Sequence, residues 1–233
     1  MKAQRQKRDR PGKTDEICDA AMALIASDGP HALTMQRLAR SLNRAVGGVY
    51  RYFPSKDALL AELQLRTIQE YGRNRDAMLK RARTAGITDE RLVHVIAKHY
   101  QRWMLDRPGH FGLLTTALAF PRPLLPDLDG QRVMAGVLPV LQSVTQLFAD
   151  LNGRPFVEGD PVERTLVFWC ALQGVVQSAK ISRFQPELMN NDRLVRGVVH
   201  ALLVGWGVKN SDELHIQLKE TETWGLANWR PQR

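Results

Sequence analysis

Apolar residues recur at helical spacing along most of this chain, in runs that proline and glycine interrupt. Within a run they fall at positions i, i+3, i+4 and i+7, which form one face of an α-helix. An alternating pattern long enough to support a β-sheet is absent. The sequence therefore predicts an all-α fold, in which an N-terminal three-helix domain is followed by a larger helical bundle.

Three short helices are predicted in the first quarter of the chain. Thr14 caps the first helix, which a Gly-Pro pair stops, and Thr34 caps the second. Asn43 suits the left-handed conformation that ends the second helix, and Pro54 closes the third. Two short helices joined by a three-residue turn, with a supporting helix before them, form a helix-turn-helix.

Positive charge is concentrated in the same region. The net charge is +9, and residues 1–56 carry 11 Lys/Arg against five Asp/Glu. Such a field attracts polyanions by releasing their counterions, but charge alone does not choose between DNA, RNA and an anionic membrane. The helix-turn-helix favours double-stranded DNA. The basic segment before the first helix either enters the minor groove or adds nonspecific affinity.

Motifs of other functional classes are missing. The chain has no nucleophile elbow, phosphate loop, dinucleotide fingerprint or zinc-protease motif, so we expect no enzyme and no cofactor. Six scattered histidines predict no metal site. We expect both cysteines to be buried thiols, and the lack of a secretory signal or an apolar run of about 18 residues predicts a cytoplasmic protein without membrane contact.

Two segments carry a family resemblance: Ala32-Leu-Thr-Met-Gln-Arg-Leu-Ala-Arg-Ser-Leu and Gly47-Gly-Val-Tyr-Arg-Tyr-Phe-Pro-Ser-Lys-Asp-Ala-Leu. Over residues 14–63 the chain resembles the tetracycline-repressor (TetR) family of bacterial regulators. Family members tend to have a Gly-Val-Ser-type turn where this chain has Asn43-Arg44-Ala45. Ala45 lacks the capping hydroxyl of the recognition helix, which contributes about 0.5–2 kcal/mol.

The predicted DNA contacts lie on the second and third helices and at the start of the fourth. Two glycines allow close approach to the DNA backbone, tyrosine hydroxyls and cations reach phosphates, and Lys56 lies at a helix N-terminus. Arg44 either reaches a guanine edge or is solvated. The predicted residues are Thr34, Arg37, Arg44, Ala45, Val46, Gly47, Gly48, Tyr50, Arg51, Tyr52 and Lys56.

The larger domain is rich in apolar and aromatic residues with a few polar groups between them. Most of these residues form core, but a mostly apolar cavity with sparse polar anchors also makes a small-molecule site. The resemblance implies such a site. The candidate ligand-binding residues are His99, Trp103, Met104, Phe111, Leu114, Phe120, Phe148, Trp169 and Gln173.

Small residues recur at helical spacing on the last two apolar helices. They indicate either close packing within one chain or an interface between two chains. The resemblance implies a two-fold dimer through these helices, which would read a two-fold operator. The candidate interface residues are Gly174, Ser178, Gly197, His200, Ala201, Val204 and Gly205.

Four segments result: a flexible basic arm (1–13), a helix-turn-helix domain (14–55), a ligand-binding and dimerisation domain (56–208) and a polar C-terminal tail (209–233). The predicted function is a sequence-specific transcriptional regulator, a repressor that a hydrophobic small molecule releases from a palindromic operator. The alternative is a DNA-binding regulator that a protein partner controls, or one without a ligand.

Overall fold

A computed structural model describes residues 10–119, 125–153, 159–182, 184–187, 189–209 and 211–228. Most of these residues are helical and none forms a β-strand, which confirms the all-α prediction. Two short 3₁₀ turns, Pro30–Ala32 and Ala179–Ile181, accompany the α-helices. The α-helices are α1 (Arg10–Asp28), α2 (Met35–Ser41), α3 (Val46–Tyr50), α4 (Lys56–Thr84), α5 (Glu90–Asp106), α6 (Pro108–Ala119), α7 (Asp127–Leu151), α8 (Pro161–Ser178), α9 (Asn191–Gly205) and α10 (Ser211–Asn228).

The chain divides into two compact units, to both of which α4 and α7 contribute. Unit 1 comprises residues 1–69 and 107–137, and unit 2 comprises residues 70–106 and 138–233. The sequence predicts a domain boundary at residue 56, whereas this division also places α6 in the unit that contains the helix-turn-helix. The apolar pattern of a helix shows that one face is buried, but it does not name the helix that covers it.

Unit 1 has a core to which α1–α4 and α6 contribute. Ile17, Leu38 and Val49 are fully buried in it, and Leu113 of α6 is nearly so. A Cβ atom on Gly109 would lie 2.9 Å from the Cα of Ala26, so glycine allows α6 to pack against α1.

Unit 2 is built around α5, whose residues 92–101 are all buried. Helices α8, α9 and α10 pack against α5. This burial explains the apolar run along α5, and it also encloses polar side chains, among them His94 and Lys98.

The structure corrects both ends of the predicted organisation. Helix α1 begins at Arg10, so residues 10–13 are helical and Thr14 lies inside the helix instead of capping it. The rest of the predicted arm, residues 1–9, lies outside the described residues. The predicted polar tail instead forms α10, where Leu214 and Leu218 are buried. A helix with few apolar residues is stable here because its narrow apolar face packs against α5.

One of the two predicted buried thiols is exposed. Burial raises the pKa of the Cys18 thiol to about 11, whereas Cys170 lies on an exposed face of α8. Among the residues that the structure describes, α7 is long and apolar enough to cross a membrane. Core helices of globular proteins can meet the same criterion of length and hydropathy.

Candidate nucleic-acid interface, interior cluster and helical face

The turn between α2 and α3 has the conformation that its sequence predicts. Asn43 adopts a left-handed conformation with φ of 51°, and the Arg44 amide donates to the Ala39 carbonyl at 2.9 Å. Ala45 precedes α3 without a side-chain cap, as expected for alanine. Val49 fixes the third helix to the core from its buried face.

The glycines of α3 border open space. A Cβ atom on Gly47 would have no atom within 4 Å, and one on Gly48 would meet only the Cβ of Arg44 at 3.9 Å. Packing within unit 1 therefore does not require glycine at either position. Since glycine costs helix stability, an approaching molecule is a better reason for the pair.

Two hydroxyl groups organise the helix N-termini of this surface. Thr34 Oγ1 accepts a hydrogen bond from the Arg37 amide at 3.1 Å, which confirms Thr34 as the cap of α2. Ser55 Oγ accepts from the Ala58 amide at 2.9 Å at the start of α4. Lys56 is the first residue of α4 and lies half-buried beside this cap.

Two predicted DNA-contacting arginines pair with acids of α1. Arg44 Nη2 lies 2.6 Å from Glu16 Oε2, and Arg37 pairs with Asp28. The sequence predicts that Arg44 either reaches a base edge or is solvated, and the structure gives it an intramolecular partner, Glu16. Since the Glu16 side chain is 49% exposed, this pair is accessible to a competing anion.

Aromatic hydroxyls and a cation continue the surface beyond α3. Tyr50 is 46% exposed, and the Arg51 guanidinium lies 5.2 Å from the centre of the Tyr52 ring. Tyr52 also packs against the core of unit 1, which holds its ring in place. The predicted DNA contacts thus occupy one unit, on α2, α3, the turn between them and the start of α4.

The predicted ligand residues are divided between the two units. Phe111 and Leu114 belong to unit 1, and Phe120 lies outside the described residues. The other six belong to unit 2, where Trp103 and Phe148 are fully buried. Phe148 makes edge contacts with Phe168 and Trp206 at centroid distances of 5.7 and 5.2 Å, as expected of a packed core residue.

Tyr71, which sequence reasoning missed, joins the polar part of the interior. Its ring stacks on His99 at a centroid distance of 5.6 Å and meets Trp103 edge-on at 5.4 Å. The neighbouring Tyr100 hydroxyl donates to Gln173 Oε1. Burial raises the pKa of Tyr71 above its usual range, so the hydroxyl stays protonated. In the sequence the role of Tyr71 is only weakly indicated, because Tyr71 is an aromatic residue on a helix, α4, that is otherwise rich in charged residues.

A partly buried ion network fastens α9 and α10 to α5. Lys98 Nζ lies 2.5 Å from Asp192 Oδ1 and 3.3 Å from Glu222 Oε1, and Arg196 also pairs with Glu222. Burial acts to raise the pKa of Asp192, but hydrogen bonding and charge from Lys98 outweigh it, so the pKa lies below its ordinary value. Burial and the positive charge of Lys98 lower the pKa of His94 to about 3.

A cavity of about 390 Å³ opens elsewhere in unit 2, where α8 begins and α9 ends. Arg164 and Trp206 line it, and the Arg164 guanidinium lies 5.7 Å from the centre of the Trp206 ring. None of the predicted ligand residues lines this cavity.

The outer sides of α8 and α9 form an exposed face of apolar and small residues, here called the α8–α9 face. Within the predicted set, Ser178 and His200 are half-buried and the other five residues are exposed. Cβ atoms on Gly174, Gly197 and Gly205 would have no atom within 4 Å. These glycines therefore do not serve close packing within the chain. The prediction missed Val162, Leu166 and Cys170, which extend the face from Gly174 at four-residue spacing.

These features define a class: an all-helical protein with a helix-turn-helix domain and a larger helical domain. The family model for bacterial regulatory proteins of the tetR family matches residues 17–63, which contain α2 and α3. The helix-turn-helix domain of the chain therefore belongs to the TetR family, as its sequence motifs predicted. This is a family of regulatory proteins, in agreement with the expectation that the chain is not an enzyme.

Two relatives extend the similarity beyond the matched domain. The HTH-type transcriptional repressor KstR of Mycobacterium tuberculosis is 30% identical over 161 residues, 69% of this chain and 63% of KstR. The chain thus spans less than two thirds of that relative. The fatty acid metabolism regulator protein of Bacillus subtilis is 32% identical over 94 residues, 40% of this chain and 46% of that protein.

The fold of most of the chain also has solved counterparts. The transcriptional regulator FadR from Bacillus subtilis, solved in complex with stearoyl-CoA, superimposes with a TM-score of 0.62. The match covers 81% of this chain and 97% of FadR at 16% sequence identity. At that identity the likeness concerns the fold alone.

Proposed function

We propose that this protein is a cytoplasmic transcriptional repressor that binds a palindromic operator as a homodimer and is released by a hydrophobic small molecule. The observation that carries the DNA-binding part is the glycine-bearing side of α3, open to space and flanked by exposed Tyr50 and Arg51. The family and the repressor relatives support it.

The α8–α9 face supports the dimer. Val162, Leu166 and Val204 are 52%, 44% and 38% exposed, which leaves apolar area for a second copy to cover. The open space beside Gly197 and Gly205 allows two helices to approach closely. A two-fold dimer presents two α3 helices to two half-sites, and this requires a two-fold operator.

The aromatic interior of unit 2 supports the ligand. His99, Tyr100 and Gln173 place polar groups among buried aromatic rings, which is the composition of a small-molecule site. Helix α4 runs without a break from Lys56 to Thr84, so it joins this interior by one helix to the DNA-binding unit. The relative solved with stearoyl-CoA makes an apolar effector the first class to test.

A second candidate is a DNA-binding regulator without a small-molecule ligand, controlled by a protein partner or by its concentration. The complete burial of Trp103 and Phe148 favours it, because these two predicted ligand residues pack as core.

The DNA-binding proposal is tested by retaining fragments of the source genome on the purified protein, then competing each against a scrambled duplex at fixed salt. We expect a retained fragment to contain a two-fold site and to bind at least 1,000-fold more tightly than the scrambled duplex, in the usual range of about 10³–10⁷. Equal binding of both duplexes would contradict sequence-specific regulation.

Ligand release is tested by the dissociation constant of an effector measured with and without operator duplex. Coupling is reciprocal, so operator must weaken the effector by the factor by which the effector weakens operator, about 5–150-fold for typical coupling. Equal constants would favour the second candidate.

A further inference from the structure

Arg75 of α4 is a buried cation in unit 2, with a side chain 2% exposed. Its Nε and Nη2 donate to one oxygen, Asp76 Oδ1, at 3.1 and 2.8 Å. Its Nη1 donates to the backbone carbonyl of Val140 on α7 at 2.6 Å. This guanidinium belongs neither to the predicted DNA contacts nor to the ion network around Lys98.

The charge of Arg75 is poorly compensated. Burying a cation is costly unless a well-placed anion pairs with it, and the Asp76 side chain is 61% exposed to water. A guanidinium has five N–H groups. Among the described residues, three of them have acceptors, which leaves two donors beneath the surface of unit 2.

The neighbours of Arg75 include an aromatic ring that itself contacts further aromatic rings. The guanidinium lies 5.9 Å from the centre of the Tyr71 ring. Beyond it, Tyr71 contacts His99 and Trp103, and Trp103 is fully buried. A molecule that follows these side chains would have its anionic end at Arg75 and its apolar body against the aromatic rings.

We propose that Arg75 binds the anionic group of the effector, a carboxylate or a phosphate, so that the effector is an amphipathic anion. This inference rests on the proposed small-molecule control and specifies the class of effector. Arginine suits the role because its planar donors match the oxygens of both anions.

Helix α7 is placed to respond to such an anion. The Val140 carbonyl occupies one Arg75 donor, and a Cβ atom on Gly72 would lie 3.2 Å from Val140 Cγ2. Pro139 precedes Val140 and has no N–H for the helical hydrogen-bond ladder, so α7 is weakened there. An anion that competes for Nη1 would loosen the contact between α7 and α4 within unit 2.

The test uses three probes with one apolar chain: dodecanoate, dodecanoyl-CoA and dodecanol, each below its critical micelle concentration. Dissociation constants come from the quenching of tryptophan fluorescence in the full-length protein. We expect the wild type to bind at least one anion tenfold or more tightly than dodecanol. Preference for dodecanoate indicates a carboxylate, and preference for dodecanoyl-CoA alone indicates a phosphate.

The Arg75→Gln variant should lose this preference while its affinity for dodecanol stays within twofold. Arg75→Lys keeps the charge and should retain part of it. Arg73→Gln removes an exposed arginine of the same helix and is the matched control, so its preference should equal that of the wild type. Circular dichroism and the urea midpoint verify that each variant is folded.

Four results would overturn the inference. An Arg75→Gln variant that still prefers anions shows that another group binds them. A variant that loses affinity for all three probes equally shows that Arg75 only holds α7 in place. A wild type that binds dodecanol as tightly as both anions shows that the effector need not be anionic, but this result remains compatible with an apolar effector. If the wild type binds its operator but none of the probes, the inference and the proposed apolar effector fall together.

Discussion

Replacing Gly47 by alanine should stabilise the protein and weaken its binding to DNA. In the free protein, a Cβ atom at this position has no atom within 4 Å, so the new methyl group meets no steric conflict. Glycine costs a helix about 1 kcal/mol relative to alanine. At about 2–4 °C per kcal/mol for a chain of this size, the melting temperature should rise by a few degrees.

The DNA affinity of Gly47→Ala should change in the opposite direction, because the methyl group occupies the space that the DNA backbone would enter. We expect at least a tenfold loss, about 1.4 kcal/mol, in mobility-shift titrations at fixed salt. Gly225→Ala on α10 is the matched control, since its Cβ also meets no atom within 4 Å and it lies outside the predicted DNA contacts. A Gly47→Ala protein that gains stability and binds operator as tightly as the wild type would refute our interpretation of the glycine face.

Four further substitutions test the other sites. Lys56→Ala should weaken binding to all duplexes alike, whereas Arg44→Ala should change sequence preference by about 1–3 kcal/mol if Arg44 reaches a base. Competition against single-base operator variants distinguishes these two effects. A changed sequence preference for Lys56→Ala would contradict the assignment of Lys56 to phosphate. Gly197→Leu should convert the dimer to monomers in sedimentation velocity, whereas Gly130→Leu, also beside open space, should not; a monomeric wild type at micromolar concentration would exclude the dimer. His94 has a folded-state pKa of about 3 and takes up a proton more readily when unfolded, so its contribution to stability is present above about pH 6.5 and is lost as the pH falls toward 3. At pH 5 the loss of stability amounts to about 2 kcal/mol. In His94→Leu the urea midpoint should therefore fall less between pH 7 and 5 than in the wild type. An equal fall in both proteins would count against burial of a neutral imidazole.

The helix-turn-helix could be predicted from the sequence because its signals are local. The Thr34 cap acts on an amide three residues away, and Asn43 adopts the left-handed conformation by itself. The spacing of Met35, Leu38 and Ala39 requires one buried helical face whatever covers it. Each of these residues determines the structure of its own neighbourhood, so the prediction needed no knowledge of distant contacts.

The tertiary structure decided what distant residues bring together. Packing against α1 placed α6 in unit 1, and packing against α5 with pairing to Lys98 made α10 a helix instead of a tail. A long-range contact also joins the buried Arg75 to the Val140 carbonyl of α7, whereas Gly197 stays open on the surface. A helical period shows that a face is covered, but the partner depends on which surfaces meet when the chain folds, and that is a property of the whole chain. The sequence by itself therefore determined most of the helices and the helix-turn-helix motif. Only the tertiary structure decided that residues 211–228 form a helix, which side chains surround Tyr71 and which residues form the α8–α9 face.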